Sequence, residues 1–252
     1  MKSPIKEVNN FKCLSFLKEK IPKGSVVSSF LLFGGELEFN LAEADRFVIA
    51  HTNRYVVYEF WHCAMQDSKR IVDLSKALFP IEDPNTFHIL QENWPKYHDP
   101  YARSALFFLL NRCSESGWIS AGKLMRKNFN PLALSHLAQF KPKNFFIRWD
   151  QQEDLIKNIQ EVETSDYLLI PAGKFNYNFF EYGKNKGYEM STIHHRKLHE
   201  ALTESEKRWV AIYNYHPQLL KLYKGHDITL VNKFGKVTAN PADCAEVVIA
   251  NF

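Results

Sequence analysis

Residues 25–50 read SVVSSFLLFGGELEFNLAEADRFVIA. An apolar, β-prone run over 25–33 stops at Gly34-Gly35, the next segment, ELEFNLAEA, places its apolar residues at helical spacing, and RFVIA (46–50) is again β-rich. Strand, glycine turn, helix and strand are the opening of a parallel α/β sheet. Asn53 then starts a long helical pattern through YVVYEFWHCAM, and FKCLSFLKEKI (11–21) ahead of the stretch is a helix that PKG stops.

Downstream the pattern changes. From about 64 to 144 it reads as helices and loops, including RIVDLSKALF, PNTFHILQENW and DPYARSALFFLLNRC. Strand signals return with NFFIRW (144–149), DYLLI (166–170), WVAIYN (209–214), DITLVN (227–232) and AEVVIAN (245–251), with helical TIHHRKLHEALTESE and PQLLKLY between them. No internal repeat or low-complexity segment interrupts them. The expectation is an α/β core over 1–63 and 144–252, with a helical insertion over 64–143.

The bulk properties agree with a globular chain. Its 252 residues are 45% hydrophobic and 24% charged, which argues against disorder, and the net charge of +4 permits a nucleic-acid partner without requiring one. Cys13, Cys63, Cys113 and Cys244 lie far apart, as free thiols in a reducing compartment do, and fit neither a zinc site nor a disulfide framework. The polar start MKSPIKEVNN lacks a signal-peptide core, and no run approaches membrane-spanning length. An intracellular, cytoplasmic protein without membrane contact is expected.

SALFFLLNRCSESGWISAG (104–122) resembles the A-x-F-x-x-LNR-x-x-x-x-G segment of Dam-type adenine-N6 DNA methyltransferases, and YNYHPQLLKLY (213–223) resembles their YNDHPxIxxLY. AEVVIANF is similar to their EELLITNY terminus, and FIRWDQQEDLI (146–156) to the strand-plus-Asp segment before their catalytic strand. The matches run from about residue 26 to the end. The resemblance implies a Rossmann-like class I methyltransferase sheet with a helical target-recognition insertion, and raises S-adenosylmethionine as cofactor and DNA as partner.

The chemistry of that family needs a flipped adenine held by an Asp-Pro-Pro-Tyr tetrapeptide, whose Asp and Pro carbonyl accept from the exocyclic amine and whose Tyr stacks on the base. Here those positions fall on Ile170, Pro171, Ala172 and Gly173, which read as the strand's end and the turn after it, and Asp166 lies upstream at the strand's start. Ile170 offers no side-chain acceptor and Gly173 no ring. The family's EPFxGxG cofactor loop corresponds to SFLLFGG: Ser29, Phe30 and Phe33 stand for Glu, Pro and the first Gly, while Gly34 and Gly35 remain. In its D-x-N ribose segment His51 replaces the Asp and Asn53 persists. The N-terminal PGGK is missing, and Tyr215 replaces the Asp of YNDH.

Departures at the chemical positions and retention of the scaffold predict a methyltransferase fold that has lost methyl transfer. Phe33 at a glycine position predicts a filled cofactor cleft, so no cofactor is expected, and S-adenosylmethionine only if the cleft is open; Gly34, Gly35, His51 and Asn53 would be its vestigial contacts. The leading expectation is a nucleic-acid-binding or regulatory pseudoenzyme. The alternatives are an active, divergent adenine methyltransferase, with Asn176 or Tyr177 supplying the amine contact or the stack, and a structural or protein-interaction scaffold, virus-encoded or within a complex, with a protein partner or a second copy. Residues 122–149 carry Lys123, Arg126, Lys127, Lys141, Lys143 and Arg148, no acid, and interleaved Phe, a composition suited to phosphate contacts with DNA. His195 and His199 have helical metal-ligand spacing but no third ligand, so no metal is assigned.

Overall fold

In a computed structural model, residues 1–6, 11–152, 154–173, 175 and 193–252 are described. Among these residues the β-rich runs form one sheet of β1 (Val26–Ser29), β2 (Phe47–Thr52), β3 (Phe145–Trp149), β4 (Tyr167–Gly173), β5 (Arg208–Asn214), β6 (Asp227–Asn232) and β7 (Cys244–Ala250). Its order is β3-β2-β1-β4-β5-β7-β6. The first five strands pair in parallel, and β7 inserts antiparallel between β5 and β6. This is the Rossmann-like class I methyltransferase sheet expected above.

The helices among the described residues are α1 (Leu14–Lys20), α2 (Glu36–Glu43), α3 (Tyr55–Leu78), α4 (Pro84–Asn93), α5 (Pro100–Cys113), α6 (Pro131–Ala138), α7 (Leu155–Gln160), α8 (His195–Glu204) and α9 (Pro217–Leu222). Three begin with one local device: Asp83, Asp99 or Asn130 sits at the N-cap before a proline, its side chain accepting from Thr86, Ala102 or Ala133 N–H. The cap satisfies an orphan donor where proline's missing N–H is harmless. The segment 70–79 is not a separate helix; it is the second half of α3, which breaks at Asp67 in an extended conformation (φ −151°). The break lets both halves meet α5: Phe60 stacks on Phe107 from one half and Ser75 Oγ donates to Ala105 O from the other.

Both faces of the sheet are covered, so β4 reads as an almost unbroken apolar run. Its residues still divide by the period of two: Tyr167 and Leu169 join the core beneath α1, α2, α3 and α5, while Leu168, Ile170 and Ala172 join the core beneath α7, α8 and α9. The helical segment shares the first core, where Phe107 and Phe140 meet Phe60, Trp61 and Phe39. Buried Glu246 of β7 accepts from Lys12 and Cys13 N–H at the start of α1 (2.7–2.9 Å), tying the N-terminal segment to the far side of the sheet. The four cysteines are free. Among the described residues no helix is long and apolar enough to cross a membrane.

Candidate functional site

An open parallel sheet binds its ligands at the carboxyl ends of the strands, in the crevice where the strand order reverses. Here that point lies between β1 and β4. β1 ends at Ser29 and does not reach Phe33, contrary to the strand expected over the whole apolar run. The chain leaving β1 closes the crevice: Phe30 N–H donates to Leu169 O of β4 (2.9 Å), and Leu32 N–H donates to His51 O of β2 (3.0 Å). Leu31 between them takes a left-handed conformation (φ 63°), which costs an L-residue about 1–2 kcal/mol and turns the backbone from one strand to the other.

The ring that fills this space is Phe30, not Phe33. Phe30 is buried and stacks on the His51 imidazole (centroids 4.6 Å, planes 23° apart). Phe33 turns to the helical side, near Phe107, and its carbonyl accepts from Trp61 Nε1–H (2.7 Å). The reason is the pleat: Phe30 continues the face of β1 that carries Ser28, whereas Phe33 lies beyond the Leu31 turn.

His51 is committed at both ring nitrogens. Nδ1 lies 3.1 and 3.2 Å from the two Asp150 oxygens, Nε2 lies 3.2 Å from Ser28 Oγ, and Ser28 Oγ lies 2.6 Å from Ser165 Oγ. A carboxylate accepts, so Nδ1 carries a proton toward Asp150, while Nε2 faces the Ser28 hydroxyl. The connectivity Asp–His–Ser is that of a hydrolytic triad, but Ser28 lies inside β1 and is buried, out of reach of any substrate. The chain is a buried polar network that holds β1, β2 and the end of β3 together.

The retained glycines have a local explanation. Gly35 caps α2 with φ 74°, and a Cβ there would lie 2.6 Å from the Phe39 ring. Gly34 is buried beside it, and Asn53 lies between β2 and α3. Ser29 Oγ donates to Glu38 Oε1 (2.7 Å), and burial raises the Glu38 carboxyl above the ordinary carboxylate range against the opposing Ser29 contact.

S-adenosylmethionine needs acceptors for its ribose hydroxyls and an open backbone approach for its methionine. Among the described residues, His51 has no uncommitted nitrogen, Phe30 occupies the approach, and the Phe30 and Leu32 N–H groups are spent. These residues do not fit the cofactor at the switch point.

The tetrapeptide positions correct the expected turn. β4 continues through Pro171 and Ala172 to Gly173 (φ 69°), with a register irregularity between Ile170 and Gly173 before Gly173 pairs with Tyr213. Proline, lacking a donor, is tolerated at such an irregularity. Ile170 has no exposed surface, Ala172 packs in the same core, and Pro171 and Gly173 are buried. Asp166 begins the strand as expected, its carboxylate accepting from Val26 N–H (2.8 Å) at the opposite edge. Asn176 and Tyr177 lie outside the described residues.

The basic residues are exposed but dispersed. Lys123, Arg126 and Lys127 lie on the segment after α5. Lys141 and Lys143 precede β3 and flank a concavity shared with Glu43 and Asp45. Arg148 is at the other end of β3, roughly 16 Å from Lys143 along the strand, beside Asp150 (3.6 Å). A second concavity of about 300 Å³ opens there, lined by His51, Arg148, Trp149, Asp150, Gln152 and Asn158 among others. His195 is buried, with Nδ1 3.4 Å from Tyr213 Oη, whereas His199 lies near Thr203, Tyr223 and His226. Among the described residues no group of three or more metal-ligand side chains gathers.

What the sequence did not disclose is the packing partner of each residue: Phe30 on His51, Asp150 behind His51, Ser28 between strands. The register of β1 on β2 pairs Ser28 with Ile49, which puts His51 on the face that carries Ser28.

No family model matches the chain, and no curated protein matches it. Solved structures similar in fold include a putative methyltransferase complexed with SAH (9% identity, 96% of this chain and 49% of that chain, TM-score 0.41). Others are a TehB-like SAM-dependent methyltransferase from Corynebacterium glutamicum (10%, 96% and 87%, TM-score 0.40) and a putative tRNA (m1A22) methyltransferase from Streptococcus pneumoniae (11%, 96% and 70%, TM-score 0.38). The chain spans about half the length of the first of these.

Proposed function

We propose that this chain is a Dam-type relative on the methyltransferase fold that has given up methyl transfer and acts by binding nucleic acid. The observation that carries the reading is the closed switch point, where Phe30 lies on His51 and both backbone donors after β1 are committed to neighbouring strands. Ile170 supports it, since a buried aliphatic chain neither accepts from an adenine amine nor admits a base. Exposed cations at Lys123, Arg126, Lys127 and Arg148 support the nucleic-acid half of the reading.

Two measurements test it. Incubation with labelled S-adenosylmethionine and unmethylated DNA is expected to leave the DNA unlabelled, and calorimetry to give no heat of cofactor binding. Binding to a labelled oligonucleotide is expected at low salt and to weaken steeply with salt, by about 0.9 in the logarithmic slope for each duplex phosphate neutralised. Label in the DNA would establish the active, divergent enzyme. A chain that binds no nucleic acid at low salt but isolates with a stoichiometric protein partner would establish the scaffold.

A further inference from the structure

Tyr55, Tyr58 and His62 follow one another at i, i+3 and i+7 along the first half of α3, a single helical stripe. Trp149, at the end of the edge strand β3, lies across its start, 5.0 Å from the Tyr55 ring and 6.5 Å from the Tyr58 ring; Tyr58 in turn stacks on His62 (5.5 Å, 22°). Tyr55 is 46% exposed and Trp149 38%. Contiguous exposed aromatic surface of this kind marks a contact site more often than chance.

The ledge is also held in place. One turn along α3 from Tyr55, Glu59 is buried and gripped by the Arg103 guanidinium. A buried ion pair therefore braces the helical turn that carries the exposed rings. Charge adds a preference: segments 54–62 and 145–149 carry Arg54 and Arg148, and their one acid, Glu59, is neutralised by Arg103. Arg148, 62% exposed and 3.6 Å from the buried Asp150 carboxylate, stands beside Trp149 at the rim of the concavity of about 300 Å³, which Gln151, Gln152 and Asn158 line together with Asp150 and Glu161.

We infer that this ledge is a stacking platform for unpaired nucleic acid: bases lie on Tyr55, Tyr58 and Trp149, and Arg148 meets the backbone. Aromatic rings beside cations suit single strands, because every base has a π-face and only an unpaired strand exposes it. A duplex hides those faces. The inference rests on the nucleic-acid reading and moves its principal contact from the dispersed lysines to the β3–α3 rim.

The test is fluorescence anisotropy with a labelled oligothymidylate of about 12 nucleotides, within the usual single-strand site sizes, beside a duplex of the same length. The single strand is expected to bind more tightly. Trp149→Ala and Tyr58→Ala are each expected to weaken it by about 5- to 150-fold, the range of single base–aromatic stacks. The double variant Lys233→Ala/Lys236→Ala, exposed in the turn after the opposite edge strand β6, is expected to leave it unchanged. Binding is expected to quench tryptophan emission in the unaltered protein and equally in Trp118→Phe, a signal from Trp149 because Trp61, Trp94 and Trp209 are buried and the half-buried Trp118 is then absent; this readout holds even if a platform variant fails to fold. If both oligonucleotides bind and neither ring substitution weakens them, the platform is wrong while the nucleic-acid reading stands. If neither binds at low salt, that reading falls and takes the platform with it; capture of a proline-rich peptide by the ledge in that case overturns both.

Discussion

The carboxyl edge of this sheet has two halves that differ. At β1–β4, where the strand order reverses, an aromatic ring, a left-handed leucine and two inter-strand hydrogen bonds close the space in which such folds bind ligands. Two strands away, at the β2–β3 rim, a concavity remains open beside exposed tyrosines, Trp149 and Arg148. The closed half gains packing and loses access; the open half leaves aromatic surface in water. The difference teaches that a fold can keep every strand while the usable part of its edge moves.

The sharpest way to break the comparison is to place a carboxylate where the resemblance implies one. Ile170→Asp places an acid in a fully buried position and is expected to lower folding stability by at least about 3 kcal/mol in denaturant titration, with no methyl transfer gained. A variant with an unchanged midpoint that methylates DNA would mean the closed half lacks only one group. Phe30→Ala removes the ring from His51 and is expected to cost about 3 kcal/mol, the lower end of buried Phe truncations. A loss well under 1 kcal/mol would show that the ring does not fill packed space.

The core beneath α8 also predicts an acid response. Burial, helped by His194, pulls His195 down from its ordinary value to about 4. Its folded form is neutral where the unfolded chain binds a proton, so stability rises with pH between about 4 and 6.5 and is lost as pH falls through that window. The full effect is about 3 kcal/mol, at roughly 1.4 kcal/mol per tenfold in proton affinity. His195→Gln is expected to flatten this part of the profile of melting temperature against pH; a slope that survives belongs to other groups.

The smallest expected effect on folding belongs to the open half. Arg148→Ala is expected to change stability by no more than about 0.5 kcal/mol, being largely exposed, while lowering the salt slope of oligonucleotide binding by about one. An unchanged slope would remove Arg148 from the contact.

The secondary structure was legible in the linear chain because its signals are local. The β-rich runs, the Asp-Pro and Asn-Pro helix starts and the glycine turn at 34–35 all act through neighbours in sequence, and the elements lie within a few residues of where those signals put them. The misreadings have a common source. SVVSSFLLF reads as strand to Phe33, and IPAG as a turn after Ile170, yet hydrogen bonds from distant strands end the first at Ser29 and carry the second to Gly173.

The candidate site divides in the same way. That Ile170 and Gly173 lack the groups of an adenine-holding tetrapeptide is a property of residue types, determined by the sequence alone. Which phenylalanine occupies the crevice, which groups consume both nitrogens of His51, and that Trp149 meets Tyr55 from 94 positions away belong to the tertiary structure. Composition and periodicity report what each residue can do; the pleat phase, the turn at Leu31 and the pairing of β2 with β3 decide what each residue faces.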